Sequence, residues 1–264
     1  MYFEAGSVLY ILTAIIFAIF AYGAYANISI WRKGKARSLH RQFNKGMVFK
    51  TLFYEIILQL QVFKQSRIRW TVHIFIFYGF LGLLMHTGLL ALLSHFVPRG
   101  SIISDYFFLD GGKLALDLWG DLFGSLLLMG VILAILRRYL FKVEQLDTIA
   151  TDTIAIVLLL LTAVSGFLCE AVRIAQLSPS PTLAYSFLGN LLAMPIRGIQ
   201  LPFNYINVVW VHVIISFTFL AYIPFGKMWH LFTSPIEILV NASEESSRKD
   251  IYGWAKNGSG VEGR

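Results

Sequence analysis

Charged residues and cysteine are both scarce in this sequence. Only 14% of its 264 residues are Asp, Glu, Lys or Arg, whereas about a quarter are in an average soluble protein. Because 57% of the residues are hydrophobic, a water-soluble enzyme is excluded and an integral membrane protein is predicted. The single cysteine, Cys169, excludes an internal disulfide, a four-cysteine zinc site and an iron–sulfur cluster held by this chain alone.

Five nearly uncharged runs are long enough to cross about 30 Å of hydrocarbon as helices. They cover residues 6–31, 70–97, 117–136, 153–172 and 205–226. Two further apolar stretches, 47–63 and 183–201, are interrupted by charges or by proline, which favours interfacial helices or a re-entrant connection. The sequence therefore predicts an all-α integral membrane protein with a five-transmembrane-helix bundle and interfacial helices, and six or seven spans remain as alternatives.

Lysine and arginine are unequally distributed among the connections between these runs. Residues 32–70 contain ten of them and residues 98–116 only two. The positive-inside rule then predicts an N-terminus outside and a C-terminus in the cytoplasm. We expect a membrane domain over 1–240, a polar cytoplasmic tail over 241–264, and a multi-pass location in the cytoplasmic membrane. The net charge of +7 is attributed to topology rather than to nucleic-acid binding.

Five of the six histidines fall on only two of the predicted spans. The sixth, His40, lies in the basic loop, where solvation accounts for it. His212 and His230 are 18 residues apart, which on one continuous helix is five turns and about 27 Å on a single face. The second span carries the other three. These are His73, His86 and His95. Two antiparallel spans would thus present imidazoles at two depths.

Facing imidazoles at one depth are the axial ligands that a b-type haem requires. Pairing by depth predicts His73 with His230 on the inside, and His212 with His86 on the outside. His95 is the alternative outer ligand; His86 is favoured because His95 lies close to water. A haem-free arrangement of hydrogen-bonded histidines is the competing interpretation. Convergence of three or four ligands on zinc or copper is disfavoured by the spread in depth.

Several segments of the chain resemble the membrane cytochrome b family. That family includes the gamma subunit of respiratory nitrate reductase, the membrane subunit of heterodisulfide reductase, DsrM-like proteins and Etf–quinone oxidoreductase cytochromes. The resemblance is carried by RWTVHIFIFYGFL at 69–81, LDLWGDLFG at 116–124, RRY at 137–139 with LD at 146–147, GFLCEAVRI at 166–174, WVH at 210–212 and YIPFGKMWH at 222–230. It implies a five-helix bundle whose second and fifth helices ligate two b haems, with one haem as the alternative.

Polar side chains cluster at the predicted outer ends of the third and fourth spans. Lys113, Asp117 and Asp121 are one turn apart, and Glu170 and Arg173 lie on adjacent turns. A carboxylate can accept a quinol proton and a cation can orient a quinone oxygen, so these residues are candidates for a quinone site. Structural ion pairs and helix-end compensation are the alternative. By resemblance, Lys113 occupies roughly the place of a quinol-site lysine in nitrate reductase gamma.

The sequence as a whole predicts the electron-transfer subunit of a quinone-linked oxidoreductase complex. Electrons would pass between menaquinol, or a similar quinol, and a cytoplasmic iron–sulfur or flavoprotein partner, in a direction that the sequence leaves open. Topology explains the basic loop over 32–70, with an acidic partner or anionic membrane lipid as the alternative. The rival function is a haem-free membrane anchor or a proton-relay transporter.

Overall fold

The computed structural model describes residues 6–33, 45–141, 150–176 and 184–242, and every regular element within these ranges is helical. His40 and most of the predicted tail lie outside them. The α-helices are α1 Ser7–Lys33, α2 Lys45–Thr51, α3 Leu60–Gln65, α4 Arg67–Phe96, α5 Ile102–Phe108, α6 Gly111–Ile135, α7 Ala150–Gln176, α8 Phe187–Ala193, α9 Tyr205–Tyr222 and α10 over 230–242.

Five of these helices are long and apolar enough to cross a membrane, which confirms the five predicted spans. They are α1, α4, α6 with the π-helical turn that extends it to Leu140, α7, and α9 with the short turn that extends it to Phe225. The third span begins earlier than predicted, at Gly111 rather than Asp117. The charge of Lys113 made this first turn look too polar for a membrane helix, but Lys113 pairs with Asp117 one turn later.

The two interrupted apolar stretches form short helices that add no span to the bundle. Residues 47–63 fall on α2, a π-helical turn at Leu52–Ile57 and α3, with a left-handed residue at Gln59. Residues 183–201 contain α8 and a 3-10 turn at Met194–Ile196. A helix of seven residues is about 10 Å long, a third of the hydrocarbon thickness.

The predicted placement of His212 and His230 on one continuous helix is wrong. Helix α9 ends at Tyr222, and two short 3-10 turns follow before α10 begins. Pro224 has no backbone N–H and cannot continue the α-helical ladder. Gly226, between the two turns, is extended, with φ −119° and ψ −176°. The five-turn spacing and the shared helical face therefore do not apply.

The chain forms two compact units. One contains residues 1–20 and 71–222, and hence nearly all of α4 together with α5 to α9; the other contains residues 21–70 and 223–264. In the first unit α4 and α6 are antiparallel, since Ile76 lies against Gly130 and Gly79 against Leu127. A Cβ atom on Gly79 would lie 2.4 Å from the Leu127 backbone nitrogen, so the two backbones are in direct contact.

Helix α7 lies between α6 and α9 and is antiparallel to both. Gly124 of α6 packs against the ring of Phe167. At the other end of α7, the Tyr222 hydroxyl of α9 donates to the Thr151 carbonyl over 3.1 Å. The buried apolar core of this unit includes Leu127, Val131, Leu159, Phe167, Ala171 and Phe219. Because α4, α6, α7 and α9 alternate in direction, α4 and α9 are antiparallel.

Substituting Gly79 with alanine should destabilise the bundle. The added methyl group cannot be accommodated without separating α4 from α6, and overpacking of this kind costs about 1–3 kcal/mol. Gly88→Ala on the same helix is the matched control, because its Cβ would meet nothing within 4 Å. Thermal unfolding in detergent should give a lower midpoint for Gly79→Ala than for Gly88→Ala. Equal midpoints would show that the close approach of α4 and α6 is incorrect.

Candidate functional site

The contact between α4 and α9 shows which histidines lie at a similar depth along the axes of these two helices. The rings of Phe80 and Phe219 meet edge to face at 5.7 Å between centroids. From this contact, His86 lies six residues further along α4, and His212 lies seven residues back along α9. Because the two helices are antiparallel, both histidines lie on the same side of the contact. At 1.5 Å per residue, the two histidines differ in level by about 2 Å. By the same register, His95 lies about 12 Å beyond His212.

A second register, followed from α9 through α7 and α6 to α4, gives the same preference. It uses the contacts of Ser165 with His212, Gly124 with Phe167, and Gly79 with Leu127. By this route, His86 is about 9 Å and His95 about 22 Å from the level of His212. His86 is therefore the nearer partner by either route.

His95 is accounted for by local contacts at the end of α4. Its Nδ1 lies 2.9 Å from the Ala91 carbonyl oxygen and 3.0 Å from the Ser94 hydroxyl. The ring meets Tyr10 edge to face at 5.8 Å, and the residue is exposed. These contacts account for the position of the His95 ring without a bound haem iron.

The His212 side chain is oriented through one ring nitrogen. Nδ1 lies 2.8 Å from the hydroxyl of Ser165, whereas Nε2 lies 3.4 Å from that of Ser216, at the limit of hydrogen bonding. Gly166 lies beneath the ring, and a Cβ at that position would be 3.4 Å from Cε1. An imidazole held at Nδ1 is the arrangement that leaves Nε2 for a metal.

His86 has a similar environment on α6. Its ring hydrogen-bonds to the Leu116 backbone, and a Cβ on Gly120 would lie 3.3 Å from Cε1. Ser125, which the α6–α7 register places level with Gly166, has a buried hydroxyl with no hydrogen-bond partner within the described ranges. A glycine packs against each imidazole and one nitrogen of each ring is anchored, so the donor set of these two residues fits a bis-histidine haem. No group of three or more His, Cys, Asp and Glu that could hold a metal ion occurs in the described chain.

His73 and His230 are each fixed by neighbours in their own segment. His73 lies 13 residues before His86 on α4, about 20 Å along the axis, and its ring stacks on Phe77 with centroids 6.5 Å apart. His230 begins α10, and its Nδ1 lies 2.6 Å from the carbonyl oxygen of Lys227.

The structure brings all the predicted quinone-site residues into one ion-pair network at the predicted outer end. Lys113 contacts Asp117, and Arg173 lies 3.6 Å from Asp117 and 3.5 Å from Glu170. Glu170 in turn lies beside Asp121. The side chains of Lys113 and Arg173 are 30% and 27% exposed, so the network is accessible from its cationic side.

Asp121 anchors the short helix α8. Its side chain is fully buried and accepts the backbone N–H groups of Leu188 at 2.7 Å and Gly189 at 3.1 Å. These N–H groups belong to the first turn of α8 and have no partner within that helix. The sequence placed Asp121 at the N-terminus of its own helix, whereas the carboxylate stabilises the N-terminus of a different one.

Two residues beside Glu170, Ser186 and Gly189, were not predicted from the sequence. The hydroxyl of Ser186 hydrogen-bonds to the Glu170 carboxylate. A Cβ on Gly189 would lie 2.5 Å from the Glu170 Cδ, so only glycine fits there. Nothing in the sequence links residues 186–189 to Glu170, because the contact joins segments that are separated along the chain.

Comparison with known proteins identifies the family of this chain. Residues 49–238 match the HdrE family, described as a subunit of dihydromethanophenazine:CoB–CoM heterodisulfide reductase. The chain belongs to the HdrE family. Membership confirms the resemblance found in the sequence and, with the five apolar helices, makes the chain a multi-pass membrane protein and the electron-transfer component of an oxidoreductase family. No solved structure matches the chain.

Individual HdrE relatives are similar over most of their length. The HdrE subunit of the dihydromethanophenazine:CoB–CoM heterodisulfide reductase of Methanosarcina thermophila is 26% identical over 89% of this chain and 91% of its own length. That of Methanosarcina mazei is 26% identical over 89% and 93%. The EtfAB:quinone oxidoreductase of Syntrophomonas wolfei is 26% identical over 92% of this chain. Because the match covers 35% of that relative, this chain spans about a third of its length.

Replacing Asp121 with leucine should release α8. The N–H groups of Leu188 and Gly189 would lose their acceptor, at about 1–3 kcal/mol for each donor left unpaired. Hydrogen–deuterium exchange of residues 187–193 should then become faster. Asp110→Leu is the control, because the Asp110 side chain makes no capping hydrogen bond to α6. Unchanged exchange in Asp121→Leu would contradict the anchoring role.

Proposed function

We propose that this chain is a cytochrome b subunit that transfers electrons between a membrane-soluble quinol and a redox partner subunit. The observation that carries the proposal is that His86 lies closer than His95 to the level of His212 by both registers, and that the rings of His86 and His212 are each anchored at one nitrogen and pack against a glycine. Membership of the HdrE family supports the same class of function.

Four histidines are proposed as haem ligands. His86 and His212 would hold one b-type haem, and His73 and His230 are retained from the sequence as ligands of a second. When bound, such a group supplies reversible one-electron transfer at its iron. The Ser165 hydroxyl fixes the orientation of His212, and the Leu116 backbone fixes that of His86, so that one nitrogen of each ring stays directed away from its anchor.

The ion-pair network is proposed as the site where the quinol is oxidised or the quinone reduced. A hydroquinone releases two protons with its two electrons, so the site needs a group that moves protons. Asp121 already accepts two backbone N–H groups, whereas Glu170 lies between Asp121 and Arg173, so Glu170 is the group proposed to take up and release the proton. Lys113 and Arg173, both paired with Asp117, offer cations to a quinone oxygen.

The carrier and the partner are proposed by chemical class. Menaquinone or a similar quinone was predicted from the sequence, and relatives are named for a quinone and for a reduced phenazine, both two-electron carriers. A separate cytoplasmic iron–sulfur or flavoprotein subunit would exchange electrons with the chain. One relative is an EtfAB:quinone oxidoreductase and others are heterodisulfide reductase subunits, and both names describe redox complexes.

Alanine substitution should distinguish the two candidate outer ligands. His86→Ala and His212→Ala are each expected to remove the same haem, because either change leaves its iron with one axial ligand. His95→Ala should retain the full haem complement, since its ring is satisfied by Ala91 and Ser94. Reduced-minus-oxidised absorbance near 560 nm measures the loss. Loss of haem in His95→Ala with retention in His86→Ala would reverse the assignment.

Glu170→Gln should slow quinol oxidation and leave the haem spectrum intact. Glutamine keeps the size of the side chain but cannot accept and release the proton. The steady rate of haem reduction by a menaquinol analogue is expected to fall by about 10²-fold or more, in line with loss of an acid–base group. Glu237→Gln, at an exposed position in α10, should leave the rate unchanged. Equal rates in the two variants would return Glu170 to a structural role.

A further inference from the structure

The turn that precedes His230 is held by α1. Helix α9 ends at Tyr222, and the Pro224 carbonyl lies in the short 3-10 turn that follows it. The side-chain amide of Asn27 donates to this carbonyl over 2.8 Å and to the Gly23 carbonyl of its own helix over 2.9 Å. The Asn27 amide nitrogen thus links α1 to a turn that lies 197 residues further along the chain.

Gly23 allows the same turn to pack directly on the α1 backbone. A Cβ at this position would lie 2.8 Å from Cβ and Cγ of Pro224 and 2.8 Å from the ring of Phe225. Gly23 is also the buried position on α1, whose other described residues are half-buried or exposed. Helix α1 therefore contacts this turn through the backbone at Gly23 and through the side-chain amide of Asn27.

Asn27 differs from the other polar side chains of α1. The hydroxyls of Thr13 and Ser29 donate to carbonyls of their own helix, which satisfies them within the membrane. Asn27 instead supplies a donor to another segment, at a position where a polar side chain is costly unless it is paired. An aliphatic residue would serve as well if α1 were only a membrane anchor.

The held turn leads directly to the His230 ring. Ile223 and Pro224 are buried, and the backbone N–H of Trp229 donates to the Gly226 carbonyl over 3.2 Å. The Lys227 carbonyl then accepts both the backbone N–H of His230 and its ring Nδ1, the latter at 2.6 Å. The position of the turn therefore determines where the imidazole lies and which nitrogen is left for a ligand.

We propose that Asn27 and Gly23 are positioning residues for the His230 imidazole, so that α1 sets the geometry of one haem ligand. This inference rests on the proposed function, in which His230 is an axial ligand. It assigns to α1 a role in tuning a redox centre through the turn at Pro224 rather than through any contact with the haem.

The test compares Asn27→Leu, Gly23→Ala, Ser29→Ala and His230→Ala in the full chain, purified from membranes. Electron paramagnetic resonance of the oxidised protein gives one low-spin ferric signal per bis-histidine haem, and its g values report the relative orientation of the two imidazoles. Redox titration gives the midpoint potential of each haem. Asn27→Leu and Gly23→Ala should shift the g values and potential of one haem only, the haem whose signal His230→Ala abolishes. Ser29→Ala should change neither.

Two results would contradict the positioning role. They differ in whether the assignment of His230 as a haem ligand also fails. If His230→Ala abolishes one signal while Asn27→Leu and Gly23→Ala leave both signals and potentials unchanged, the positioning role is wrong and the ligand assignment stands. If His230→Ala abolishes no signal, the ligand assignment fails and the positioning role with it. Should Asn27→Leu not accumulate, Asn27→Asp carries the same test, since it keeps the side-chain size and replaces the amide donor.

Discussion

The absence of water from the membrane interior is the constraint on which this structure depends. A polar group between the helices must find its partner in the protein, because hydrocarbon offers none. Asp121 meets this requirement by accepting N–H groups of α8, and Asn27 meets it by donating to the Pro224 carbonyl. Both contacts join segments that are distant in sequence. The need of each buried polar group for a hydrogen-bond partner therefore also fixes how these segments pack.

The same constraint explains why the charged side chains of α6 and α7 lie in ion pairs and not singly. Asp117 contacts two cations, Lys113 and Arg173, and Glu170 lies between Arg173 and Asp121. Each charge is balanced by a neighbour of opposite sign or by backbone dipoles. This network is the site proposed above for proton exchange with a quinol.

The sequence predicted the features that depend on local composition. Uncharged runs identified the five membrane helices, and charged residues within the apolar runs identified the short ones. The break after Tyr222 was missed although Pro224 and Gly226 signal it, because the apolar character of the segment favoured an unbroken helix. The anchoring of α8 by Asp121 was not accessible, since it depends on a contact between residues 67 positions apart. Likewise, the packing of Phe80 on Phe219, which sets His86 closer than His95 to the level of His212, could not be read from the sequence.

The central claim is that the histidines of α4, α9 and the start of α10 bind haem. The ratio of haem b to protein in the detergent-purified chain, measured by pyridine haemochrome absorbance against amino-acid analysis, tests it most directly. The account predicts a ratio near two, one haem for each pair of histidines. A folded preparation that contains no haem would contradict it and would favour a haem-free anchor or proton-relay subunit.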